Sequence, residues 1–170
     1  RRGLLHEPDK QLTDMDNIID VKNLTKRFGN FTAVNNITFQ VKRGEIFGFL
    51  GANGAGKSTA IRMLCGLSLP TSGSGTVVGY DILTQSELLK RNIGYMSQRF
   101  SLYNDLTVNE NIRLFAGIYG MRRPEIAEKS KVLLTSLGIE TKANTLVGAL
   151  PLCEKQKLAF SVASFHNPQL

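Results

Sequence analysis

Gly51-Ala52-Asn53-Gly54-Ala55-Gly56-Lys57-Ser58-Thr59 fits the pattern G-x-x-x-x-G-K-[ST], the glycine-rich loop that holds the phosphates of ATP or GTP. Its surroundings suit that reading. The apolar run Glu45-Ile46-Phe47-Gly48-Phe49-Leu50 predicts a buried strand before the loop, and Thr59-Ala60-Ile61-Arg62-Met63-Leu64-Cys65 predicts a helix after it. Strand, tight turn and helix N-terminus together turn backbone N–H donors toward an anion. Glycines let the backbone come close and adopt angles that a Cβ forbids. In this motif Lys57 contacts the β/γ-phosphates and the Ser58 hydroxyl ligates Mg²⁺. A helix capped by a glycine turn that binds nothing leaves the apolar strand and the Lys-Ser offset without a reason.

The 170 residues can bury one moderate core behind a polar start. Because the chain begins with Arg1, it is expected to be a piece of something longer. No apolar run is long enough to cross a bilayer, and no secretory signal core is present in the sequence. Two cysteines, Cys65 and Cys153, make neither a disulfide framework nor metal spacing, which favours a reducing compartment. Cys65 falls on the apolar side of the helix after the loop, where a buried thiol is expected. The net charge of +7 raises the question of nucleic acid. Its lysines and arginines are dispersed, however, and form no stripe interleaved with aromatics, so dispersed solvated charge is the better reading, and a basic surface near anionic headgroups or the nucleotide accounts for the rest.

Residues 1–17 read as a polar linker or extension. Ile18-Ile19-Asp20-Val21-Lys22-Asn23-Leu24 and Ile37-Thr38-Phe39-Gln40-Val41 alternate as strands. Pro70-Thr71-Ser72-Gly73-Ser74-Gly75 predicts a loop, Thr76-Val77-Val78 a short strand ended by Gly79-Tyr80-Asp81, residues 86–91 a short helix, and Ile93-Gly94-Tyr95-Met96 another buried strand. Beyond Asp105 the pattern is helical. Thr107 and Glu110 fit a capping box opening a helix to about Tyr119. Pro124 suits the first turn of the next helix, which ends before Gly138 and has Ile126, Val132, Leu133 and Leu137 on its apolar face. A last helix spans about 153–165, with Leu158, Val162 and Phe165 on one stripe.

Taken in order, these residues resemble the nucleotide-binding subunit of ABC transporters from Ile18 to the C-terminus. The resemblance places the adenine-stacking aromatic on Phe28 and the phosphate loop on Gly51, Asn53, Gly54, Ala55, Gly56, Lys57, Ser58 and Thr59. The Q-loop glutamine falls on Gln98, roughly 40 residues after Lys57. Leu102-Tyr103-Asn104-Asp105-Leu106-Thr107-Val108-Asn109-Glu110-Asn111 resembles exporters whose membrane partner is of the ABC-2 type, multidrug exporters included. Tyr103 and Leu106 then occupy the position that meets the transmembrane subunit, with packing between subdomains as the plainer account of them. The resemblance implies an α/β P-loop NTPase core of ABC type with a helical subdomain. It implies ATP and Mg²⁺ as ligands, Lys57 and Gln98 in catalysis, and Ser58 and Gln98 on the metal. The partners it implies are a second nucleotide-binding domain and a transmembrane subunit, at the cytoplasmic face of the inner or plasma membrane.

Two features depart from that family. Its signature L-S-G-G-Q, supplied across a dimer to the other subunit's ATP, is met here by Leu150-Pro151-Leu152-Cys153-Glu154. Proline removes a hydroxyl donor, Leu152 and Cys153 replace glycines, and Glu154 opposes an incoming phosphate. The chain also stops at Asn167-Pro168-Gln169-Leu170, where the family continues into a strand ending in the Mg²⁺-binding Asp and the water-polarising Glu. His6 and His166 are poor substitutes for the switch histidine. The expected organisation is therefore a strand-rich core over 18–100, a helical subdomain over 101–166 and, at 167–170, the start of a missing C-terminal core. The expected function is the ATP-binding domain of an exporter ATPase, binding but not hydrolysing ATP as this chain alone. The alternatives are a soluble ABC ATPase acting on nucleic acid or ribosomes, and a non-catalytic fragment.

Overall fold

The computed structural model describes residues 17–97 and 102–170, in two compact units that divide between Ile93 and Gly94. The first unit is a four-stranded antiparallel sheet with two helices. Its strands are β1 (Asn17–Phe28), β2 (Phe31–Lys42), β3 (Ser72–Val77) and β4 (Tyr80–Asp81), in the order β2-β1-β3-β4. The hairpin β1–β2 turns at Gly29, whose φ of 57° suits a residue without a Cβ. Ile18, Ile19, Val21 and Leu24 of β1 and Val34 and Val41 of β2 are buried against Ala60, Met63 and Leu64 of α1 (Lys57–Leu64) and Leu89 of α2 (Ser86–Asn92). Each fully buried side chain of the Leu or Met kind contributes about 1.5–3 kcal/mol.

Several expectations need correction here. The strands β1 and β2 are longer than their apolar alternation suggested, because asparagines carry the chain through irregular points. Asn23 (φ 53°) and Asn36 (φ 50°) lie in the left-handed region, and their N–H groups donate to Thr38 Oγ1 (2.8 Å) and Thr25 Oγ1 (2.9 Å). The predicted loop 70–75 is largely strand. Gly73 and Gly75 allow β3 to lie so close to β1 that a Cβ on Gly75 would stand 2.6 Å from Val21 Cγ1. Tyr80 and Asp81 do not end a strand but form one, after a turn at Val78 and Gly79 with φ 54° and 78°.

The apolar run 45–50 is not a strand, because no described segment offers it a ladder of hydrogen bonds. It rests instead on β2 through rings: Phe47 stacks on Phe39 at 5.2 Å, and Phe49 meets both edge-on at 5.2 and 5.4 Å. Ile46 and Leu50 are left 99% and 96% exposed. Residues 93–96 are likewise not a strand, although Ile93 is buried.

The second unit is helical: α3 (Val108–Ile118), α4 (Arg123–Leu137) and α5 (Leu152–Ala163), with 3₁₀ turns at Glu140–Lys142 and Val147–Ala149. The capping box is present, with Thr107 Oγ1 accepting from Glu110 N–H at 3.2 Å and Glu110 Oε2 accepting from Thr107 N–H at 2.8 Å. Pro124 sits in the first turn of α4, and Gly138 closes that helix in the left-handed conformation. Val132 is exposed, so the buried face of α4 runs through Ile126, Ser130 and Leu134, with Leu133 and Leu137 partly buried beside it. Leu158, Ala159, Val162 and Phe165 close the core from α5 and its end.

Candidate functional site

The glycine-rich loop enters α1 earlier than sequence spacing suggested, at Lys57. Gly51, Gly54 and Gly56 have φ of 150°, 85° and 84°. Gly56 is the residue before the helix, and a Cβ there would stand 2.0 Å from the Ala33 carbonyl oxygen and 3.2 Å from Val34 Cγ2. Glycine is thus required twice at this position, for the backbone angle and for the close approach to β2. No side chain caps α1 and no acidic residue stands in its first turn, so its N–H groups and dipole face outward uncompensated. Lys57 reaches back over the loop, its Nζ donating to the carbonyls of Gly51 and Ala52, both at 2.6 Å. Ser58 is exposed, and its hydroxyl has no protein partner among the described residues. A lysine drawn onto carbonyls, a free hydroxyl and an uncapped helix end are the donor set that a Mg²⁺–triphosphate requires.

Other expected residues are not gathered with this loop by any hydrogen bond or ring contact among the described residues. Phe28 ends β1, 55% exposed as a residue, with Lys26 Nζ at 5.1 Å from its ring centroid. Gln98 lies outside the described residues. Asp81 is committed to its own turn: Oδ1 accepts from Leu83 N–H (2.9 Å), Thr84 N–H (2.8 Å) and Thr84 Oγ1 (2.9 Å). Those bonds, led by the Thr84 N–H, hold its carboxyl below the usual range. His166 stacks on Tyr119, centroids 3.6 Å apart. Burial pushes the Cys65 thiol up to about 11, which keeps it protonated and inert.

In the helical unit, residues 150–154 span the start of α5. Leu150 is buried and anchors the segment, Pro151 caps the helix without a side-chain hydrogen bond, and Leu152 and Cys153 are exposed. Glu154 Oε1 accepts from Lys142 Nζ at 2.5 Å, a partner that the sequence did not suggest. Asn111 is a second residue missed by sequence reasoning. Fully buried, it donates to the carbonyls of Tyr103 (2.9 Å), Leu106 (3.3 Å) and Thr107 (3.0 Å) and accepts from Tyr103 N–H (2.8 Å). It moulds the loop that presents Tyr103, a residue 55% exposed whose ring centroid lies 6.2 Å from that of Phe115.

No helix of the described residues is long and apolar enough to cross a membrane. No group of three or more His, Cys, Asp or Glu among them could hold a metal ion.

Comparison with known proteins gives a consistent result. The ABC transporter family pattern matches residues 34–170. The chain is 45% identical over 158 residues to YbhF of Escherichia coli K12, described as a probable multidrug ABC transporter ATP-binding protein, covering 93% of this chain and 27% of that protein. It is 40% identical over 152 residues to the Nod factor export ATP-binding protein I of Rhizobium sp. N33, covering 89% and 50%. A solved structure of an ATP-binding subunit of an ABC transporter superposes with a TM-score of 0.78 at 30% identity, over 89% of this chain and 63% of that one. The chain therefore spans about a quarter to a half of the length of these two curated relatives.

Proposed function

Since the chain belongs to the ABC transporter family, we propose that it is the ATP-binding part of an exporter motor, with residues 51–59 as its phosphate loop. The observation that carries this reading is the loop itself, with three glycines at positive φ, Lys57 Nζ on two loop carbonyls and an uncapped α1 behind them. Lys57 exchanges those carbonyls for the β/γ-phosphates, and the backbone N–H groups at the start of α1 hold the phosphate oxygens. The Ser58 hydroxyl and the Gln98 amide would hold Mg²⁺, which would neutralise charge on the phosphates. The exposed Phe28 ring offers a face to the adenine, a stack contributing about 1 kcal/mol.

The rest of the reading concerns the whole protein. Two copies enclose two nucleotides, each between one copy's residues 51–59 and the other's residues 150–154. A transmembrane partner of the ABC-2 type receives the motion at the loop around Tyr103, at the cytoplasmic face of the membrane. Export is favoured by relatives whose names cite multidrug transport, Nod factor export and bacitracin transport. The 170-residue chain taken alone has no apolar run followed by an Asp-Glu pair, so it binds nucleotide without turning it over. The test is ATP turnover and fluorescent-ATP titration of the full-length protein and its Lys57→Ala variant. Weakened binding and lost turnover are expected, and equal affinity for both would refute the assignment.

A further inference from the structure

Glu154 stands in the first turn of a helix whose N-terminus no side chain caps. An acid at this place ordinarily turns back on the helix end or faces whatever anion that end attracts. Glu154 is drawn aside instead. One of its oxygens accepts from Lys142 Nζ at 2.5 Å, while Oε2 is buried without a partner. The pair is partly enclosed, with side-chain exposures of 39% for Lys142 and 23% for Glu154. Lys142 is itself fixed in its turn, donating its N–H to Ile139 O at 2.9 Å and accepting from Thr145 N–H at 2.8 Å. Lys155 is also tied back, its Nζ donating to Gly148 O at 2.9 Å.

From this geometry we infer that Lys142 is a positioning residue, which holds and neutralises Glu154 so that the start of α5 accepts the terminal phosphates of a nucleotide carried by a second copy. The inference rests on the proposed function, which sets residues 150–154 against that nucleotide. Without Lys142, the Glu154 carboxylate loses the ion pair that draws it aside, in the first turn of the helix that must meet a triphosphate. A carboxylate with one oxygen already unpartnered then swings toward water and into the path of the anion. The opposition expected of Glu154 from sequence is cancelled by a residue 12 positions earlier.

The test is sedimentation of the full-length protein with Mg²⁺ and ATPγS. Lys142→Ala is expected to weaken nucleotide-driven association roughly tenfold, since it strips the partner from a half-enclosed charge. Lys142→Arg is expected to retain association. The double variant Lys142→Ala/Glu154→Gln is expected to recover it to within a factor of about three, because the uncompensated charge is gone. An unaltered Lys142→Ala protein overturns the inference. So does a double variant as weak as the single one, which marks lost packing rather than lost neutralisation. Wild-type association that ignores nucleotide, or that survives Lys57→Ala, overturns the proposed function and this inference with it.

Discussion

Replacing Gly56 by alanine probes the loop where two separate costs coincide. The residue sits at φ 84°, where a side chain costs about 1–2 kcal/mol. The added Cβ also lands 2.0 Å from the Ala33 carbonyl oxygen, so loop and strand must part by more than ~1 Å. The obstacle is backbone, which no neighbouring rotamer can relieve, and overpacking of this kind costs about 1–3 kcal/mol. The sum is about 2–5 kcal/mol, or roughly 4–20 °C in melting temperature for a chain of this size. Gly54→Ala is the matched control, because Gly54 has nearly the same φ, 85°, and open space around its Cβ position. It is expected to lose only the conformational cost, about 1–2 kcal/mol. Thermal melts of both variants decide the matter, and fluorescent-ATP titration should give a larger loss of affinity for Gly56→Ala. Equal melting losses in the two variants would refute the claim that the loop is pressed onto β2 at Ala33.

Asn111→Ala is expected to cost about 1–3 kcal/mol, since it strands the Tyr103 N–H, while the carbonyls of Tyr103, Leu106 and Thr107 each keep a backbone donor. Limited chymotrypsin digestion should then cut faster after Tyr103; an unchanged rate contradicts the moulding role. Thr107→Ala is expected to lose about 1 kcal/mol in denaturant melts, as for other helix caps. Glu110 is held below its ordinary 4.5, first by the Thr107 N–H and then by its hydroxyl, so its contribution is complete above that pH. It is lost as pH falls through the lower folded value, and Asp81 behaves alike below its ordinary 3.8. An acid titration of stability in which Glu110→Gln keeps the wild-type slope below pH 4.5 would contradict this. In maleimide labelling at neutral pH, exposed Cys153 is expected to react at once and Cys65 only after unfolding. Equal rates would place Cys65 outside the core.

The phosphate loop was legible because its function demands residue types at fixed offsets, and the angles at Gly51, Gly54 and Gly56 are the reason for those types. Helix boundaries were legible where capping chemistry is local, as at Thr107, Pro124 and Gly138. Strand identity was less so, because a strand is completed by its neighbours. The run 45–50 has the composition of a buried strand, yet without a ladder it is held by Phe47 and Phe49 against Phe39 and, at its start, by the bonds between Glu45 and Lys42. Conversely, Ser72 and Gly73 looked like loop and became strand, because small residues let β3 close on β1. Val132 satisfied a helical spacing and still faces water, since the buried face of α4 runs through Ile126, Ser130 and Leu134. Lys142 and Asn111 were invisible as site residues because their roles rest on partners brought together only by folding.

The central claim is that residues 51–59 of this chain hold nucleotide. Melting of the 170-residue chain with Mg-ATP at about 100 times its dissociation constant tests it most directly. Mass action then adds about 2.7 kcal/mol to stability. For a chain of this size that corresponds to a rise of roughly 5–11 °C. Lys57→Ala at the same nucleotide concentration should give little or no rise. A cooperative melt that ignores Mg-ATP, or an equal rise in the Lys57→Ala chain, would contradict the account.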